Sequence, residues 1–123
     1  MKTKLILLFL SALFAVTAKA QVTEKWCAID TNTTAVSEEG IDVAKDASGN
    51  AYVVAKSHNG TNYDICLIKY NTAGVRQWIK TYDGGSTDNP IGVEVDASGY
   101  VYVGGNTMVS GVNRLTALKY SSA

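Results

Sequence analysis

The chain has 123 residues and balances 11 Lys and Arg against 11 Asp and Glu, a charge that argues against a nucleic-acid binder, for which a basic face is expected. Only two cysteines and one histidine are present, and neither residue type occurs at a zinc-binding spacing. A chain of this length makes one small domain with a marginal core.

Residues 1–20 read as a signal peptide. Lys2 and Lys4 give a basic start, Leu5 to Val16 is an apolar run of 12 residues, and Ala18-Lys19-Ala20 supplies the small side chains of a cleavage site. The run falls short of the roughly 20 residues that cross a bilayer, so export with cleavage before Gln21 is expected, not anchoring. The expected location is secreted, periplasmic or cell surface. Removing the leader takes three basic residues and leaves a net charge of about −3 on residues 21–123.

The mature chain shows short runs rich in Val, Ile, Tyr, Thr and Leu, punctuated by Gly, Asn, Asp and Ser, which predicts strands and turns with no helix. Eight strands are predicted, at about 22–29, 40–45, 51–57, 64–70, 75–82, 91–95, 100–107 and 114–120. Asp46-Ala47-Ser48-Gly49, Asn71-Thr72-Ala73-Gly74 and Asp96-Ala97-Ser98-Gly99 suit type I turns closed by a left-handed glycine. His58-Asn59-Gly60-Thr61-Asn62 reads as a longer polar hairpin loop.

One unit occurs twice. Residues 41–73 align with residues 91–123 at an offset of 50 without a gap, with 11 of 33 pairs identical, including the Asp-Ala-Ser-Gly turn, Tyr52/Tyr102 and Lys69-Tyr70/Lys119-Tyr120. A period of that length marks a repeat architecture. Ala51-Tyr52-Val53-Val54-Ala55 and Ile65-Cys66-Leu67-Ile68 are apolar on both faces, so each sheet is expected to be covered on both sides. Four-stranded antiparallel meanders stacked face to face are the blades of a β-propeller, and this all-β architecture of about two blades in an incomplete ring is the expected fold.

The stretch from Ile91 to Gly105, together with Asp64 to Asn71 and Gln77 to Gly85, resembles the bacterial beta-propeller repeat often called the SBBP repeat. The resemblance covers residues 22–123 and implies four-stranded blades on exported proteins, with no catalytic set to carry over. Kelch repeats are the runner-up through Gly104-Gly105, though the first copy has Val54-Ala55 there. WD40 repeats are shorter, and neither copy holds a Trp-Asp pair. On this reading residues 22–29 are a spare outer strand, residues 40–82 are blade one, and residues 91–123 are a partial blade two. The chain is expected to be either a short gene product that closes a ring as a homo-oligomer or a fragment of a longer propeller, poorly soluble alone.

Little chemistry stands out. His58 has no nameable triad partner and is expected in an exposed loop. Glu38, Glu39, Asp42, Asp64, Asp83, Asp88 and Asp96 are available as carboxylates, but the sequence makes no two of them converge. The Asp46 and Asp96 turns lack the EF-hand pattern and read as structural. Cys27 and Cys66 read as small buried hydrophobes in strands, with a disulfide as the alternative. Tyr52, Tyr70, Tyr102 and Tyr120 recur in register and suit packing, whereas Trp26 and Trp78 are expected on outer strands, partly exposed. No catalytic, cofactor-binding or metal residue is assigned. The expected function is a non-enzymatic scaffold or recognition module. The alternatives are a carbohydrate-binding oligomer, tested through Trp26 and Trp78, and part of a propeller enzyme whose site lies elsewhere.

Overall fold

The computed structural model describes residues 23–30 and 35–123. The expected signal peptide lies outside the described residues. No described helix is long and apolar enough to cross a membrane.

Seven strands form two antiparallel sheets. The first sheet is a four-stranded meander of β1 (Ser37–Lys45), β2 (Ala51–His58), β3 (Tyr63–Tyr70) and β4 (Arg76–Tyr82). The second has three strands, β5 (Asp88–Val95), β6 (Val101–Val109) and β7 (Val112–Tyr120). The all-β expectation therefore holds, with the meander order as read.

The turns explain the order. Asp46 Oδ1 accepts the N–H groups of Ser48 at 3.0 Å and Asn50 at 2.9 Å, and its Oδ2 accepts the Tyr52 hydroxyl at 3.1 Å. Asp96 repeats this with Ser98 and Tyr100, both at 2.9 Å, and Tyr102 at 3.0 Å. Gly49 and Gly99 both sit at φ 84, the left-handed region where a Cβ is penalised. These bonds hold the Asp46 and Asp96 carboxyls below the usual aspartate value. For Asp46, burial pushes the other way and is outweighed by the bonds from Asn50, Tyr52 and Ser48. For Asp96 the Tyr100 N–H contributes most. Between β6 and β7, Ser110 at φ 51 and Gly111 at φ 76 make a two-residue hairpin turn of type I′ form. That turn carries the two strands two residues past their expected ends.

The 50-residue register is structural as well as textual. Glu38 pairs with Ser57 as Asp88 pairs with Thr107, and Ser57 faces Asp64 as Thr107 faces Arg114. Each sheet also shifts register at the same place, between Gly40 and Asp42 and between Pro90 and Gly92.

The sheets stack, and the core lies between them. From the first come Tyr52, Val54, Ile65 and Leu67, and from the second Val93, Val101 and Val103, all at most 3% exposed. Burial on this scale is the main favourable term, of the order of 2 kcal/mol for each large side chain. Trp78 is half-buried against this core, its ring 5.9 Å from that of Tyr52. A smaller cluster of Ala55, Cys66, Ile68 and Tyr70 lies on the first sheet's other face, where Ala28 packs on it.

Three expectations are corrected here. Residues 23–30 form no strand; they cross that outer face, with Trp26 6.0 Å from the Tyr70 ring and Asp30 bonded to Arg76 at 2.6 Å. Tertiary contacts place this segment where no ladder partner is on offer. Cys66 is buried in β3 as expected, but Cys27 is exposed outside any strand, and both are free thiols. Coverage on both faces holds for β2 and β3 only, because the second sheet's outer face is open.

Candidate functional site

The open face is built by alternation along β6 and β7. Val101 and Val103 point into the core, so Tyr102 and Gly104 point out, the tyrosine 39% exposed. On β7, Leu118 and Tyr120 pack inward, while Leu115 and Ala117 face out and Leu115 is 91% exposed. Ile91, thrown outward at the register shift of β5, completes a shallow groove with Gly92, Gly104 and Ala117. Lys119 caps one end, its Nζ 4.0 Å from the centre of the Tyr100 ring and 5.0 Å from that of Tyr102.

Asp42 of the first sheet reaches the rim of this groove. Its Oδ2 accepts the Val93 N–H at 3.0 Å and its Oδ1 accepts the Val43 N–H at 2.8 Å, which together hold its pKa below the usual range. The groove therefore has apolar walls and two anionic groups, Asp42, already engaged in joining the sheets, and exposed Glu94.

The carboxylates are less scattered than the sequence allowed. Asp64, Asp83 and Asp88 come together, one oxygen of each within 4.8 Å of the other two. Glu38, Glu39, Asp42 and Asp96 are not part of this group. The meander register is the signal that was available: Ile65 pairs with Tyr82, so Asp64 falls opposite the residue after β4, which is Asp83. These three are the residues able to hold a metal ion among those described.

The other candidates resolve simply. His58 ends β2, half-buried, its ring edge-on to Tyr63 at 4.7 Å and its Nδ1 accepting the Gly60 N–H at 3.1 Å. It is therefore less exposed than expected and is held by its own hairpin. Trp78, on the outer strand β4, is partly exposed as expected and packs one side against the core. Trp26 is 38% exposed but lies over Gly74, where an added Cβ would come within 2.7 Å of its ring. Tyr52 and Tyr70 are buried and Tyr120 is half-buried against the core, as expected of packing residues, whereas Tyr102, the twin of Tyr52, is 39% exposed.

Comparison with family models, with curated proteins and with solved structures finds no match to this chain.

Proposed function

We propose that this protein is an exported, non-enzymatic β-propeller repeat scaffold whose sheets act as blades and whose partner is a second copy of the same chain. One observation carries this. Each half of the interface between the two sheets exists a second time in the chain, open on the second sheet and partly covered on the first. The covered face of the first sheet, Tyr52, Val54, Ile65 and Leu67, has its register twins in Tyr102, Gly104, Leu115 and Ala117 on the second sheet's open face. The face that covers it, Val93, Val101 and Val103, has its twins in Val43, which is 62% exposed, and in half-buried Ala51 and Val53. Residues 23–30 lie over the neighbouring part of that face, at Tyr70 and Arg76.

Charge favours a second copy over an unrelated occupant. Inside the chain the docking brings Asp64 beside Asp88. Their twins are Arg114 and Glu38, both exposed, so the same docking between copies brings a cation beside an anion. Head-to-tail docking of this kind is heterologous and closes when its rotation does. Two sheets per copy and about four to eight blades per propeller correspond to a ring of roughly two to four copies.

A charge-reversal cycle tests the arrangement. Sedimentation equilibrium of Arg114→Glu and of Glu38→Arg should show weakened self-association, and the double variant should recover it. Association untouched by all three variants removes the proposed docking. Additive weakening in the double variant shows that these two residues do not face each other across copies.

A further inference from the structure

The three converging carboxylates lie where the sheets meet. Asp64 is the second residue of β3, Asp88 is the first of β5, and Asp83 follows β4 directly on the linker between the sheets. Asp88 is fully buried and Asp64 is 5% exposed, while Asp83 faces solvent. Each buried carboxylate has one oxygen satisfied. Asn59 Nδ2 donates to Asp64 Oδ2 at 3.0 Å, and the Gly84 N–H donates to Asp88 Oδ2 at 2.8 Å.

The other oxygen of each, Asp64 Oδ1 and Asp88 Oδ1, is buried with no hydrogen-bond partner among the described residues. An unpaired buried acceptor costs the full desolvation of that group, and two of them beside a third like charge compound the cost. No Lys or Arg answers them, since the one ion pair among the described residues is Arg76 with Asp30. The linker approaches Asp88 closely because residue 84 is glycine: a Cβ there would lie 2.8 Å from Asp88 Oδ1. At the twin of Asp64 the second sheet has Arg114, a cation supplied by the chain itself.

We infer that Asp64, Asp83 and Asp88 form a calcium site that ties the first sheet to the second across their linker. The donors are all oxygens, which selects a hard cation. Two buried carboxylates give fixed ligands, and the solvent-facing side at Asp83 lets water complete the six to eight ligands that Ca²⁺ takes. Mg²⁺ demands near-ideal octahedral geometry and gives up its water reluctantly, so it suits this fixed, half-dry cluster less well.

Titration calorimetry of the full mature chain with CaCl₂ should find one ion per chain, with an affinity of about 0.1–1 mM as in other extracellular sites. Melting provides the control. Without added cation, Asp88→Asn should melt at or above the wild type, because one of three like charges is gone. About 10 mM Ca²⁺ should raise the wild-type midpoint by roughly 5–10 °C and leave the variant unmoved. Absence of calcium heat, or the same shift in Asp88→Asn, overturns the site. An equal response to Mg²⁺ overturns its assignment to calcium.

Discussion

Replacing Gly49 by Val tests the turn on which each sheet is built. Gly49 lies at φ 84, where an L side chain costs about 1–2 kcal/mol and a β-branched one sits at the upper end of that range. Space contributes little, since a Cβ at Gly49 meets only Thr72 Cγ2 at 3.4 Å. The expected loss is therefore about 2 kcal/mol from backbone conformation alone. In a domain of this size that lowers the melting midpoint by roughly 10 °C. Gly99→Val should lose somewhat more, because its Cβ would come 3.0 Å from Ser122 Oγ. Asn tolerates the left-handed region, so Gly49→Asn should keep most of the stability. Scanning calorimetry on the three variants and the wild type reads all of this. Unchanged midpoints for both Val variants, or equal losses for Asn and Val, would refute the reasoning.

Further outcomes follow from single residues. A thiol reagent should label exposed Cys27 quickly in the native protein and reach Cys66 only on unfolding, since burial pushes the Cys66 thiol up to about 12; one or no thiol after denaturation contradicts the free pair. The Asp46 and Asp96 carboxyls are held below 3.8, so their contribution to stability is complete above that pH and disappears as pH falls through the lower folded values. The melting midpoint should accordingly drop below about pH 4, less steeply in the Asp46→Asn/Asp96→Asn variant; parallel slopes would contradict the turn bonding. Mass spectrometry of exported protein should find Gln21 first, and an intact Met1 in that fraction would remove the signal-peptide reading.

The strands and their order were legible because turn chemistry is local. An Asp or Asn with Gly three residues on closes the turns at Gly49, Gly74 and Gly99, and the repeat confirms two of them against each other. The path of residues 23–30 was not legible. Glu24-Lys25-Trp26-Cys27 has the composition of an outer strand, but a strand needs a ladder, and contacts with Tyr70, Gly74 and Arg76 take its place. Trp78 lies on the outer strand β4 and is partly exposed as expected, but alternation along β4 sets it against the core, which composition does not reveal. The carboxylate cluster was half legible. Asp83 and Asp88 are near in sequence, and antiparallel pairing brings Asp64 to them, but their burial depends on how the second sheet stacks.

The central claim is that the second sheet's open face meets the Val43 edge of the first sheet's outer face in a second copy, and light scattering behind a sizing column tests it most directly. Residues 21–123 of the wild type at micromolar concentration should run as a discrete oligomer. Leu115→Asp, which sets a charge at the centre of the open face where Leu115 is 91% exposed, should run as a monomer that keeps its β-sheet circular dichroism and melts below the wild-type oligomer. A well-folded wild-type monomer across the micromolar range, or an oligomer that Leu115→Asp leaves intact, contradicts it.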